Sequence, residues 1–171
     1  LLVIIVTFQN IRWIAMTVYP IHYKDLIEKY SEKYEIDPYL AVAIMKNESR
    51  FNPEAVSKKD AKGLMQIAPV TGEWASKKLG IPNYSEDMLF KPELNIQFGI
   101  WYLSILKQEF DGNIELVIAG YNAGNGSVRR WLSDPKYSKD GKTLHNIPFK
   151  ETRIYKRKVL RDYKIYTKIY K

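Results

Sequence analysis

Glu48 stands at the end of an apolar stripe. Ala41, Ile44, Met45 and Glu48 fall at i, i+3, i+4 and i+7, so a helix here carries three apolar side chains and then a carboxylic acid down one face. Burial disfavours the charged form of a carboxyl, which raises its pKa and suits it to donate a proton at neutral pH. The same spacing also fits a helix-end glutamate turned to solvent or paired with a lysine, and the helix alone does not separate the two. Other chemistries have less to work with. The chain has no cysteine, hence no thiol nucleophile and no disulfide frame. Imidazole is offered only by His22 and His145, and no cluster around either has the spacing of a metal site. No metal and no cofactor is expected.

The elements that must position Glu48 read as helices. Tyr23, Leu26, Ile27, Tyr30 and Tyr34 recur with helical period. Asp37-Pro38 is a cap followed by proline at the first helical position, which starts a second helix running to about Ser49. Residues 52–69 are punctuated by Pro53, Gly63 and Pro69 and read as loop. Thr71 is expected to cap a short helix ending at Gly80, and Lys91-Pro92 to introduce a longer one reaching Phe110. After the turn Asp111-Gly112-Asn113, a buried segment from Leu116 to Ala119 leads into a glycine-rich stretch, Gly120 to Gly126, read as loop. Tyr155, Val159, Tyr163, Tyr166 and Tyr170 mark a last helix. Trp74, Trp101 and Trp131 are read as core, and Gly63, Gly124 and Gly126 as relief for tight turns. With few strand signals, the expectation is a mainly α single domain.

Length and composition agree with that: 171 residues, 46% hydrophobic and 27% charged, suit one globular domain with a proper core. The net charge of +8 is unevenly spread, since nine Lys or Arg face only Glu151 and Asp162 between Lys150 and Lys171. Such a cluster attracts an anionic partner or is simply a solvated helix face. Residues 1–19 differ: Leu1 to Phe8 is almost wholly apolar, and Ile11 to Tyr19 continues so with Arg12 the only charge. They read as the end of a signal or membrane anchor, or alternatively as a first helix of the domain occupying residues 20–171.

Four motifs follow one another in order: Glu48-Ser49-Arg50-Phe51-Asn52-Pro53 with Ser57; Gly63-Leu64-Met65-Gln66-Ile67; Ala119-Gly120-Tyr121-Asn122-Ala123-Gly124; and Glu151-Thr152-Arg153-Ile154-Tyr155 with Val159. Together they resemble the soluble lytic transglycosylase family, relatives of goose-type lysozyme, from about Tyr19 to Leu160. The resemblance implies a lysozyme-like, mainly helical domain with a glycan-binding groove, and makes residues 20–171 a catalytic domain. It implies Glu48 as the catalytic acid, Ser57 as a contact to the N-acetyl group of the muramic sugar, and Gln66 and Asn122 as groove residues. Tyr121 and Tyr155 match tyrosines beside that acid, although each could also be a core aromatic. Two departures stand out. Ala68 occupies a position often held by Met in relatives, and Asp60 and Lys62 put charge where small neutral residues are common.

What the resemblance implies chemically is cleavage of the peptidoglycan bond between N-acetylmuramic acid (MurNAc) and N-acetylglucosamine (GlcNAc), leaving 1,6-anhydro-MurNAc ends. Most glycosidases use two carboxylates, about 5–5.5 Å apart when retaining and about 6.5–9.5 Å when inverting; the motifs here supply one. A hydrolytic muramidase, with Asp60 or Glu54 holding a water, is the alternative, and a wall-binding or assembly module that cuts nothing is a third reading. The implied setting is the bacterial cell envelope, with the protein secreted or membrane-anchored. The implied partners are glycan strands, with anionic wall polymers as candidates at the basic tail, and no nucleic acid.

Overall fold

The computed structural model describes residues 13–171. Much of the apolar run read as an anchor or first helix therefore lies outside the described residues; residues 13–18 are helical. Then follow α1 (Lys24–Lys33), α2 (Pro38–Glu48), α3 (Pro69–Leu79), a 3₁₀ turn (Glu86–Phe90), α4 (Pro92–Glu109), α5 (Ile114–Ala123), α6 (Asn125–Leu132) and α7 (Lys150–Tyr170). The fold is mainly α, as expected. Among the described residues the only β pairing is two isolated antiparallel bridges, Val56 with Lys62 and Lys62 with Ile67.

Local chemistry sets the helix ends. The Asp37 carboxylate accepts the backbone N–H of Tyr39 at 2.9 Å, and Pro38 sits where a helix has no use for an N–H. Pro69 and Pro92 start α3 and α4 in the same way. Asn113 caps α5 by accepting from Glu115 and Leu116, and Gly80 ends α3 in the left-handed conformation.

The core forms around α2, whose residues Leu40 to Met45 are all buried. It packs against α1 on one side and α7 on another, while α4 joins α1, α3 and α5, and α5 bridges to α6 and α7. A helix apolar all round needs partners all round, and α2 has them.

Three expectations need correcting. The stretch from Gly120 to Gly126 is not a loop: α5 runs through Ala123, Gly124 alone breaks the chain, and α6 begins at Asn125. Gly120 serves packing rather than turning, because a Cβ there would lie 2.9 Å from the Phe110 ring. Helix α3 starts at Pro69, so Thr71 lies within its first turn. Trp101 and Trp131 are core as expected, but Trp74 is 37% exposed.

The loop between α2 and α3 is anchored by one buried amide. Asn95, on α4, accepts the N–H of Met65 at 2.7 Å and donates to the carbonyls of Lys62 and Leu89 at 2.9 and 2.7 Å. Gly63 permits that approach: its φ is +76°, and a Cβ would meet the Asn95 amide and the Leu89 carbonyl at 2.3 Å. Lys62 is also held, by Asp60 at 3.0 Å and Glu86 at 2.8 Å. A segment with almost no regular structure is thereby fixed against the helices.

Candidate active site

Glu48 is the last residue of α2. Directly after it, Arg50 and Phe51 both take left-handed φ values, 54° and 65°, which side chains with a Cβ rarely adopt. This abrupt turn leaves Glu48 at the end of the apolar stripe and sends residues 52–68 past it. From the other side α7 brings Tyr155, buried, whose hydroxyl donates to the Glu48 carboxylate at 2.5 Å.

Part of Glu48 remains open to a cavity of about 510 Å³. Burial pushes its carboxyl up to about 7; the Tyr155 hydroxyl, by stabilising the anion, opposes that, and the nearby negative charge of Glu151 adds to the rise. Among the described residues no salt bridge is made to Glu48. The neighbouring phenols stay protonated, since burial first and the Glu48 charge second hold both Tyr121 and Tyr155 well above the usual tyrosine range. The carboxyl that the sequence left ambiguous is thus a half-buried acid near the midpoint of its titration at neutral pH.

The other expected residues gather here as well. Ser57, Gln66, Tyr121 and Asn122 line the same cavity as Glu48. Tyr155 lies behind Glu48 rather than in the lining. Ser57 also has the turn-capping role: its oxygen accepts the N–H groups of Lys59 and Ala61 at 3.2 and 3.0 Å. Gln66, with a φ of 50°, donates its amide nitrogen to the carbonyls of Ala55 and Gly63, which leaves its amide oxygen for the cavity. Tyr121 ties α5 to the loop by donating to the Met65 carbonyl at 2.8 Å. The Asn122 oxygen accepts the buried Thr152 hydroxyl at 2.8 Å, so its NH₂ group has no protein partner among the described residues. The cavity is therefore edged by fixed amide and hydroxyl groups of both polarities, as a groove for polar rings requires.

Sequence reasoning missed four lining residues, Lys58, Lys59, Ala61 and Glu151. Lys59 and Glu151 form an exposed ion pair at 3.9 Å, one from the loop and one from α7. Only Glu151, as a member of the last motif, carried any signal. Glu54 and Asp60, the two carboxylates considered as water-holders, do not line the cavity, and Asp60 is occupied by Lys62.

Comparison with known proteins points the same way. Residues 25–144 match the family described as Transglycosylase SLT domain. The chain is 41% identical over 144 residues to the Soluble lytic murein transglycosylase of Escherichia coli K12, covering 83% of this chain and 22% of that protein. It is 44% identical over 125 residues to the Membrane-bound lytic murein transglycosylase C of Edwardsiella ictaluri, covering 67% of this chain and 34% of the relative. Among solved structures, the 70-kDa soluble lytic transglycosylase of Escherichia coli superposes with a TM-score of 0.79 and 36% identity over 90% of this chain and 25% of that one. The same enzyme in complex with bulgecin A gives a TM-score of 0.80. The chain thus spans about a fifth to a third of the length of these relatives, and the lysozyme-like fold is shared.

Proposed function

Because this chain belongs to the transglycosylase SLT domain family, we propose that it is a peptidoglycan lytic transglycosylase, with Glu48 as its single catalytic acid and base. The observation that carries this reading is the half-buried Glu48 carboxyl, pushed up to about 7 beside a cavity of fixed polar groups. Protonated Glu48 gives its proton to the oxygen linking MurNAc to GlcNAc, and that C–O bond breaks. The muramic acetamide stabilises the cation left at C1. Glu48, now a carboxylate, takes the proton of the C6 hydroxyl of the same sugar as that oxygen bonds to C1. The products are a 1,6-anhydro-MurNAc end and a free GlcNAc hydroxyl, and no water is consumed. Holding the C6 hydroxyl against C1 gains the advantage of an intramolecular reaction. In this reading Ser57, Gln66 and Asn122 hold the sugars, while Tyr121 and Tyr155 frame the acid.

Hydrolysis is the competing reading, and one observation favours keeping it: Glu151 is a second carboxylate in the cavity lining. It is exposed and paired with Lys59 at 3.9 Å, unlike the half-buried Glu48. Digestion of purified sacculi in heavy-oxygen water separates the two. Unlabelled anhydro ends, lighter by one water than reducing ends, are the expected product. Labelled reducing ends that vanish in Glu151→Gln establish a muramidase instead, and glycan that is bound but never cut establishes a wall-binding module.

The working place we propose is the bacterial cell envelope, where the substrate is. The apolar segment ahead of residue 20 suits export or attachment, although no helix among the described residues is long and apolar enough to cross a membrane. The basic face of α7 is offered to anionic wall polymers. Charge reversal at Lys164 and Lys168, both exposed, is expected to weaken sacculus binding and its dependence on salt, leaving turnover of a short soluble glycan unchanged.

A further inference from the structure

Trp74 breaks the rule that large aromatics of small domains go inside. It sits on the flank of α3, 37% exposed, beside Val70, which is 73% exposed on the same helix. Its ring is not loose. It packs against buried Trp101 with centroids 4.6 Å apart and stands edge-on to Tyr102 at 6.3 Å. Tyr102 in turn packs against Tyr121 at 5.6 Å, and its oxygen takes the backbone N–H of Asn125 at the start of α6. Tyr121 lines the Glu48 cavity. A continuous aromatic wall therefore leads from the cavity, through Tyr102, to an indole held from beneath with part of its surface bare. Ala68, small and at the start of α3, also lines the cavity. Six residues of helix place Trp74 about 9 Å further along the axis from Ala68.

A rigid, partly bare indole suits a pyranose ring, whose axial C–H groups form an apolar face. Indole offers a large area for such contact and loses little side-chain freedom when its position is already fixed. We propose that Trp74 is a sugar-stacking platform extending the groove beyond the Glu48 cavity, and that it binds a ring of the glycan strand remote from the bond being broken. The inference rests on the glycan-cleaving reading above. It makes the protein selective for long strands: a short glycan fills the cavity, and a longer one also covers the indole. Binding energy from that remote ring becomes available to hold the strand in place.

The experiment uses the full chain carrying Glu48→Gln, which holds glycan uncut, and peptide-free GlcNAc–MurNAc oligosaccharides from disaccharide to hexasaccharide. Affinity is expected to rise with length until the indole is covered. Adding Trp74→Ala should remove about tenfold of the affinity for the long oligosaccharides, some 1.4 kcal/mol, and leave the disaccharide unaffected. Trp74→Phe should restore part of the loss. A general packing defect would weaken all lengths alike, so the length dependence is the readout that a merely structural role does not move. With active protein, Trp74→Ala should raise KM for long strands with little change in kcat. Equal affinity of the parent and Trp74→Ala at every length overturns the proposal while leaving the function of Glu48 standing. Failure of the Glu48→Gln parent to bind any of the oligosaccharides overturns both.

Discussion

Glu48 and Asp162 lie on two sides of the contact between α2 and α7, and their surroundings are opposite. Asp162 is 1% exposed and fully provided for. Asn47, the residue before Glu48, donates to it at 2.9 Å, Arg161 donates twice at 3.1 and 3.0 Å, and the Lys46 ammonium stands 3.8 Å away. That ammonium stands 3.5 Å from the Tyr19 ring centre, and partial burial lowers its pKa. Among the described residues Glu48 has a single neutral donor, Tyr155, and no cation. The contact between α2 and α7 thus holds one carboxylate supplied with charge partners and another with none among the described residues. A carboxylate supplied with such partners holds two helices together. One half-buried without a charge partner stays close to proton exchange at neutral pH.

The comparison predicts two mutants with opposite phenotypes, and the larger effect is at Glu48. Glu48→Gln keeps shape but cannot give and recover a proton, so sacculus lysis is expected to fall by at least about 10²–10⁴-fold, the usual worth of general acid–base catalysis. Stability should move the other way. The folded pKa of about 7 lies above the ordinary value of 4.5. The wild type therefore has the full stabilising contribution of this proton below about pH 4.5 and loses it as pH rises through 7. Glutamine does not titrate, so the variant gains on the wild type over that window, by at most about 3 kcal/mol. Thermal melts at pH 4, 6 and 8 check this; a constant difference across the series breaks the comparison.

Asp162→Ala is the mirror case. It removes one of the two acceptors of the Asn47 amide, which keeps the Ala43 carbonyl at 2.8 Å, and leaves Lys46 and Arg161 uncompensated, but both cations reach solvent in part, with side chains 26% and 61% exposed. The expected cost is about 1–3 kcal/mol of folding stability, in the range for an unsatisfied polar group rather than for a stranded buried charge. Lysis per folded molecule, measured well below the melting temperature, should stay within a few-fold of wild type. A collapse of activity with stability unchanged would mean that Asp162 acts on the chemistry through α2.

How much of this was legible beforehand depends on the distance over which each feature is decided. The start of α2, the length of α4 and the tyrosine face of α7 follow from caps and periodicity within a few residues. So does the position of Glu48 at the end of its stripe. Whether that acid was dry or solvated depended on Tyr155, 107 residues away, which only the motif order brought into view. The grip of Asn95 on the loop over 62–65 and the approach of Glu151 to the cavity are long-range contacts with no local signature. Helix α6 was lost because Asn125-Gly126-Ser127 reads as turn, although Val128 and Trp131, buried three apart, carried the helical period. Trp74 was misplaced by the general preference of tryptophan for the interior, which says nothing about a flank beside a groove.

Tyr155→Phe gives the smallest and sharpest test of why Glu48 differs from Asp162. Among the described residues the hydroxyl is the group that stabilises the Glu48 anion, and it works against the burial that raises the pKa. Phenylalanine fits the same buried space, so the aromatic packing persists while the hydrogen bond goes. The Glu48 pKa should then rise further, and the proton-bearing form should persist to higher pH. In kcat/KM, which reports the pKa of the free enzyme's acid, the alkaline fall-off should move upward from near pH 7. At pH 5, where Glu48 is protonated in both proteins, the rates should agree within a few-fold. A fall-off that moves downward would mean that the hydroxyl was holding the protonated form, and that burial alone does not set the acid. An unmoved fall-off with rates reduced equally at every pH would assign Tyr155 to the sugar instead of to Glu48.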